Sequence, residues 1–211
     1  LRRVLRGEWT DPRPGLLVTF DDGLRTHAEV AAPILEKYGF CGWFMVPADF
    51  VSVPESEQQQ WALDHHIRFS TEGLTGPRIG LDENDLRMLS ARHVIGCHTS
   101  SHRRLVAGLD ATTLAEEIPT ARSTLEDVLG TEVSVFTWVG GEEASYSTEA
   151  ARVIRQTGFE FAFMTNSAPI VGTTDPLHLQ RSNVEAEFPI ELTRLVLSGF
   201  YDWLYRAKRE R

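Results

Sequence analysis

Two short polar clusters in this sequence have the residue types of a metal site. The first is Asp21-Asp22-Gly23, directly after the apolar run from Leu16 to Phe20, and the second contains His98 and His102. Histidines four residues apart lie on one face if they share a helical turn, and they can then bind the same ion. One carboxylate and two imidazoles form a three-ligand site with open coordination positions, as in catalytic zinc centres.

Each cluster also has an ordinary structural interpretation. Asp-Asp-Gly is a common turn, in which Asp caps the next helix and Gly adopts a positive φ. Seven histidines in 211 residues readily produce a pair four apart by chance, and Thr99 to Ser101 could be a capping turn. The combination favours the metal interpretation, because two carboxylates at a strand end disfavour each other's ionisation unless a cation compensates.

Both clusters belong to longer motifs. The segment 19–23, Thr-Phe-Asp-Asp-Gly, resembles the first motif of the NodB-homology polysaccharide deacetylases, carbohydrate esterase family 4. The segment 98–102, His-Thr-Ser-Ser-His, resembles that family's second motif, His-(Ser/Thr)-x-x-His, and both match without a substitution. The segment 136–141, Phe-Thr-Trp-Val-Gly-Gly, is similar to the Phe-x-Tyr-Pro-x-Gly segment of one branch. The resemblance covers nearly the whole chain.

This resemblance implies a fold and a set of roles. The fold is an irregular, incomplete (β/α) barrel with the site at the carboxyl ends of its strands. At the matching positions, Asp22, His98 and His102 would be ligands of a divalent metal, and Asp21 the general base. Zn²⁺ is the expected ion, with Co²⁺ or Ni²⁺ as alternatives. Bound there, the ion acts as a Lewis acid and lowers the pKa of a water molecule.

Four further residues are expected to serve the substrate side of the site. The backbone N–H groups of Trp138, Val139 and Gly140 are candidates to stabilise an oxyanion, although the family's segment has tyrosine and proline in place of Trp138 and Val139. The Trp138 ring either stacks on a sugar or packs in the core. Many relatives carry an arginine here that buttresses the base, and Arg181 is the candidate stand-in.

His178 is the candidate general acid. Many relatives have a Leu-x-His-type motif near the end of the domain, and the nearest match here is Pro-Leu-His-Leu-Gln-Arg at 176–181. If His178 is instead an exposed or packed strand residue, water or Asp21 would protonate the leaving amine.

Composition and charge narrow the class of protein. A chain of 211 residues with 42% hydrophobic and 24% charged residues predicts one soluble globular domain over 1–211. The net charge of −9 leaves no basic stripe for phosphates, which argues against nucleic acid as a partner. No apolar run approaches the roughly 20 residues of a membrane span.

The first residue and the cysteines bear on localisation. No signal peptide is visible, which predicts a cytoplasmic protein. Because the sequence begins at Leu1 and not at Met, a trimmed N-terminus and an extracytoplasmic location stay open. Cys41 and Cys97 give no disulfide framework, and both are expected to be buried free thiols.

Strands that alternate with helices predict a parallel α/β fold. The helix after the first motif should begin with a capping box at Thr26 and Glu29. Pro33 conflicts with this helix, because proline is unfavourable in a helix interior. Pro119 should kink or split a later helix. The terminal helix should pack on the barrel, or its aromatic residues form an oligomer contact. The expected strands are 16–20, 41–46, 94–97, 134–137, 159–164 and 177–181. The expected helices after the second strand are 82–89, 110–129, 147–157 and 189–204. The helix after the first motif should bury one side, which carries Val30, Ile34, Leu35 and Tyr38.

The stretch 52–80 interrupts this alternation and is interpreted as an insertion. Its polar composition, with Gly and Pro throughout, predicts little contribution to the core and a role in substrate choice. Trp61 and Phe69 either offer apolar surface to a sugar ring or lipid, or pack in a satellite core. His65 and His66 are expected to be solvated side chains and not ligands.

Taken together, the motifs predict a hydrolase that removes an N-acyl group, with N-acetyl as the first candidate, from an amino sugar. The substrate would be an N-acetylated carbohydrate in a polysaccharide, a glycolipid or a biosynthetic intermediate. Hydrolysis of another C–N bond, in a formamide or a cyclic amide, is the alternative reaction. A non-catalytic carbohydrate-binding relative is the alternative class, but its expected mark, loss of Asp21 or of a ligand, is absent from the sequence.

Overall fold

A sheet of six parallel strands organises the computed structural model, which describes residues 1–185, 187–204 and 206. Its strands neighbour one another in chain order, so the carboxyl ends of all six meet at one edge. The strands are β1 (Val18–Phe20), β2 (Gly42–Val46), β3 (Val94–Cys97), β4 (Val135–Thr137), β5 (Phe161–Met164) and β6 (Leu179–Gln180).

Most of the helices lie between consecutive strands, while the first precedes β1 and the last two follow β6. They are α1 (Arg2–Leu5), α2 (Ala32–Lys37), α3 (Gln58–Asp64), α4 (Glu83–Ser90), α5 (Ala111–Ala115), α6 (Ala121–Leu129), α7 (Thr148–Thr157), α8 (Ile190–Leu197) and α9 (Phe200–Leu204). Among the described residues, none of these helices has the length and apolar character needed to span a membrane.

Alternate side chains of each strand enter two separate cores. Met45, Phe163 and Leu179 belong to the inner cluster, which lies against residues near the N-terminus. Their sequence neighbours Phe44 and Met164 belong to the larger cluster between the sheet and the helices. Successive side chains of a strand point to opposite faces of the sheet. Both faces are therefore covered by apolar clusters, as expected of a parallel sheet. The sheet curls into a half-barrel, and this confirms the predicted incomplete (β/α) barrel.

Side chains, and not a ladder of backbone bonds, link the first strand to the last. Arg181 directly follows β6, and its Nη1 donates to Thr19 Oγ1 of β1 at 2.9 Å. The same guanidinium donates to both carboxylate oxygens of Asp21, which directly follows β1. This contact ties the two edge strands together at the carboxyl edge of the sheet.

Two π-helical turns accommodate the prolines in helices. The turn His27–Ala31 precedes α2, so Pro33 falls in the first turn of that helix, where proline is tolerated. The turn Glu116–Thr120 contains Pro119 and separates α5 from α6, which confirms the predicted split.

The predicted start and buried face of the first helix are wrong. The Thr26 side chain makes no capping bond, and Glu29 instead accepts from Arg25 Nε at 2.6 Å and from Thr75. The π-helical turn changes the residue spacing, so the predicted apolar stripe does not stay on one side. Leu35 packs against the core, whereas Val30, Ile34 and Tyr38 are exposed.

Two other predictions of burial fail in part. Cys41 is exposed, and β2 begins one residue later, at Gly42. Cys97 is buried within the large core, and this burial raises the pKa of its thiol to about 12.

The terminal helix breaks at Gly199, which has φ of 78°. Of its predicted core face, Val196 is buried, but the side chains of Leu195, Phe200, Trp203 and Leu204 are exposed.

The insertion 52–80 has a small core of its own, so the prediction that it adds little core is wrong. Trp61 stacks on Phe50 with ring centroids 4.6 Å apart, and Phe69 packs on the same cluster. Of the two alternatives for Trp61 and Phe69, the satellite core is therefore the one observed. The amide of Gln58, which is buried, bonds the carbonyl of Val53 and the N–H groups of Ile79 and Gly80, and so joins the two ends of the insertion.

Candidate active site

Asp22, His98 and His102 meet at the carboxyl edge of the sheet. Asp22 follows β1, and the two histidines follow β3. Asp22 Oδ1 lies 3.1 Å from His102 Nε2 and 3.5 Å from His98 Nε2, and one potential ligand atom from each residue lies within 4.8 Å of the others. One carboxylate oxygen and two ring nitrogens at these separations can bind a single ion.

The second nitrogen of each imidazole is held by a backbone carbonyl. His98 Nδ1 lies 2.9 Å from the carbonyl of Thr137, and His102 Nδ1 lies 2.6 Å from the carbonyl of His65. A carbonyl oxygen accepts but never donates, so each Nδ1 carries its proton, and Nε2 is the nitrogen that offers a lone pair to an ion when the ring is neutral. This arrangement of a ligand backed by a carbonyl is typical of histidines that bind metals. The donor set therefore fits a divalent ion such as Zn²⁺.

The histidines converge from a loop and not from the helical turn that their spacing suggested. Thr99 has φ of 65° and His102 has φ of 55°, both in the left-handed region, and Asp22 has φ of 78°. Such a conformation is a marked outlier for a β-branched residue, and each instance costs about 1 to 3 kcal/mol and persists only where the surroundings impose it. Three left-handed residues other than glycine in the motifs indicate that the surrounding contacts fix the site's geometry.

The charges in the site compensate one another. Burial opposes the ionisation of Asp22, but hydrogen bonds and charges from His102 and His98 outweigh it, and the pKa of this carboxyl lies well below its usual range. Burial also disfavours protonation of His98, yet Asp21 and Asp22 together raise its pKa above the ordinary histidine value. The two shifts show that positive charge is favourable beside Asp22, which is what a bound cation would supply.

Asp21 is paired with Arg181 in a bidentate bridge. Both guanidinium nitrogens donate to the carboxylate, each at 2.7 Å. Burial alone would raise the pKa of Asp21, but the charges of Arg181 and His98 and the Arg181 hydrogen bonds outweigh it, so the pKa lies below its usual value. Arg181 thus keeps Asp21 ionised and fixes its orientation.

A cleft of about 870 Å³ opens over these residues. Val139 and Gly140 line it, but Trp138 does not, since its side chain is 1% exposed and packs between Phe136 and Tyr146. The Trp138 N–H is also bonded to a carbonyl of β5. The prediction of Trp138 at the substrate is therefore wrong, and its core alternative is observed.

The insertion and the segment after β6 also line the cleft, through Asp64, His65, His66, Arg68, Ser182, Asn183, Val184 and Glu185.

His178 is not at the cleft, contrary to its prediction as the general acid. Leu179 points into the inner cluster, so His178, one residue earlier, points to the outer face. There its ring stacks on Tyr146 with centroids 5.4 Å apart, and its Nε2 lies 4.0 Å from Glu143 Oε1. The same alternation turns Arg181 inward, where it reaches Asp21.

The sequence interpretation missed several positions that the structure brings to the site. Glu117 accepts hydrogen bonds from the loop between the two histidines, and the carbonyls of His65 and Thr137 hold the imidazoles. For Glu117 a signal existed, because an acidic residue falls between Leu114 and Ile118 on the buried face of a helix. Backbone carbonyls leave no comparable signal in a sequence.

His27 is a buried histidine at the base of the cleft. Its ring packs against Phe20 and Phe44, and its Nδ1 has no hydrogen-bond partner within the described part of the chain. Burial lowers its pKa from 6.5 to about 4. Between pH 6.5 and about 4, the folded protein therefore keeps this imidazole neutral, whereas the unfolded chain protonates it.

Acid should destabilise the protein through His27. Between pH 6.5 and about 4, the unfolded state binds the extra proton, so the free energy of unfolding falls as the pH falls through this window, by about 2 to 3 kcal/mol at pH 4.5. Urea unfolding with a chelator present, at pH 7 and pH 4.5, should show a smaller acid loss in His27→Phe than in the wild type. Equal pH dependence in the two proteins would contradict this assignment.

Comparison with known proteins gives the same fold and a family. The model of a family described as polysaccharide deacetylase matches residues 9–162. A search of curated protein sequences found no significant match.

Solved structures with this fold share little sequence with the chain. The Streptococcus pyogenes deacetylase PplD in complex with acetate has a TM-score of 0.71 at 16% identity, over 92% of this chain and 75% of that one. IcaB from Ammonifex degensii has a TM-score of 0.70 at 20% identity, over 93% and 78%. A de-N-acetylase from Aggregatibacter actinomycetemcomitans has a TM-score of 0.70 at 16% identity, over 92% and 79%. At these identities the similarity establishes the half-barrel.

Proposed function

Because this chain belongs to the polysaccharide deacetylase family, we propose that it is a metal-dependent hydrolase that removes an N-acetyl group from an amino sugar of a polysaccharide, glycolipid or biosynthetic intermediate. The convergence of Asp22, His98 and His102 beside the Asp21–Arg181 pair carries this proposal. The names of two similar structures, a deacetylase in complex with acetate and a de-N-acetylase, support acetyl as the acyl group.

In this proposal Asp22, His98 and His102 hold a divalent ion, most simply Zn²⁺. When bound, such an ion supplies Lewis acidity to the amide carbonyl and lowers the pKa of a water molecule. Asp21 is the general base and accepts a proton from the attacking water as the new C–O bond forms. Arg181 is expected to hold the Asp21 carboxylate ionised and aimed into the cleft.

The oxyanion and the leaving amine then each need a partner. Val139 and Gly140 line the cleft, and their backbone N–H groups are the remaining candidates to stabilise the oxyanion. Since His178 lies on the outer face of the sheet, Asp21 would return its proton to the amine nitrogen as the C–N bond breaks. One carboxylate thus acts as base and then as acid.

The decisive experiment combines metal analysis with acetate release. We expect the purified protein to contain a divalent ion and to release acetate from one or more members of a panel of N-acetylated sugars and oligosaccharides. A chelator should stop the release, and added Zn²⁺ should restore it. Release of product from a formamide or a cyclic amide, but from none of the sugars, would instead assign the other C–N bond reaction.

Removing the Arg181 charge should change the pH profile. In Arg181→Gln, burial of Asp21 is no longer opposed by the guanidinium, so the pKa of Asp21 should rise and the acid limb of kcat/KM should move to higher pH. Loss of orientation should also lower kcat by about 10²-fold. Arg68→Gln, which changes another arginine of the cleft, is the control. An acid limb that stays in place would show that Arg181 does not control the base.

A further inference from the structure

A single buried carboxylate holds the loop that carries both histidines. Glu117 is 5% exposed, and its Oε2 accepts from the N–H groups of Ser100 at 3.0 Å and Ser101 at 2.9 Å. Its Oε1 accepts from Ser101 Oγ at 2.5 Å and lies 3.3 Å from Arg103 Nε. Within the described part of the chain, these donors lie between His98 and His102 or directly beside them.

The opposite side of this loop is held by the segment after β2. The N–H groups of Ala48 and Asp49 donate to the carbonyls of Thr99 and Ser100, and Ser100 Oγ donates to Asp49 Oδ1. The loop thus lies between Glu117 and this segment. Constraint from both sides is what a loop with left-handed residues at Thr99 and His102 needs in order to keep its shape.

Glu117 lies in the π-helical turn Glu116–Thr120. The turn falls between α5 and α6, where Leu114, Ile118 and Ala121 are buried against the sheet. π-Helical turns occur frequently at functional sites. Here a charged residue lies within an otherwise apolar buried face. A carboxylate in that position is costly unless it is fully bonded, as Glu117 is.

We infer that Glu117 is a positioning residue for the metal site: its carboxylate fixes the 98–102 loop so that the Nε2 atoms of His98 and His102 both face Asp22. The inference rests on the metal site of the proposed function. It assigns Glu117 no contact with substrate. Its effect should therefore fall on metal affinity, in the range of about 10 to 100-fold that is usual for groups that orient metal ligands.

The test measures zinc affinity by competition with a chromogenic chelator. Glu117→Gln keeps the side chain's shape but loses the charge and one acceptor, and it should weaken zinc binding by about 10 to 100-fold. Glu116→Gln changes the exposed neighbour in the same turn and should bind zinc as the wild type does. Glu117→Asp, which keeps the charge, should recover part of the affinity.

The outcomes separate this inference from the proposed function. Equal zinc affinity in folded Glu117→Gln and wild type overturns the inference, even if the variant melts at a lower temperature, since that would be a purely structural role. If Glu117→Gln does not fold, Ser101→Ala, which removes the hydrogen bond from Ser101 Oγ to Glu117, must weaken zinc binding to sustain the inference. A wild type that binds no zinc overturns the proposed metal site itself.

Discussion

Replacing Asp21 with Asn should lower kcat by about two to four orders of magnitude, the usual contribution of a positioned acid or base. The substitution removes the proton acceptor but keeps the shape of the side chain and leaves Asp22, His98 and His102 untouched. Metal content should therefore equal that of the wild type. The measurement is acetate release at saturating substrate, with the metal determined on the same preparation.

The control for this substitution is Asp11→Asn. Asp11 also forms a bidentate bridge to an arginine, Arg13, but it lies outside the active-site cleft. Its loss should leave kcat unchanged. If Asp21→Asn instead loses the metal, Asp21 is a ligand and the division of roles between the two adjacent aspartates is wrong.

Replacing His98 with Ala should remove the metal and with it all measurable activity. Asp22 and His102 would remain, and two ligands do not make the three-ligand set of a catalytic zinc site. Zinc content should fall from about one ion per chain to near zero after dialysis. Circular dichroism of the variant checks that the half-barrel is intact, since His98 is buried.

His66→Asn provides the matched control. His66 lines the same cleft but is not part of the cluster that could hold an ion, and Asn tolerates the positive φ of 61° found at this position. This variant should keep its zinc. Full zinc content in both variants would show that the ion is bound elsewhere or that His98 is dispensable.

The elements that sequence patterns predicted well carry their own start and stop signals. Helix α7 begins after Ser147, whose hydroxyl accepts from the N–H of Ala150, and ends at Gly158 in the left-handed conformation. Strand β3 was predicted with its observed bounds, because a short apolar run directly precedes the polar motif. Local chemistry alone determines such boundaries.

Predictions that depended on which way a side chain faces were less successful. Strand β6 has two residues, too few to show an alternating pattern, and a one-residue difference moved His178 to the outer face. The family motifs brought Asp22, His98 and His102 together, but the left-handed loop between the histidines depends on Glu117, which lies 15 residues beyond His102. Contacts at that separation are set by packing and leave little local pattern.

The hydrogen bond from His102 Nδ1 to His65 ends on a backbone carbonyl, so substituting the His65 side chain does not remove the acceptor. His65 is the residue at which α3 ends, and carbonyls in the last turn of a helix have no partner within the helix. The helix end therefore supplies the acceptor, whatever side chain residue 65 carries. Substitutions at this position should leave the acceptor of His102 in place, whereas deleting one residue from α3 should rotate the carbonyl away. Loop grafts between relatives should therefore preserve helix length first and sequence second.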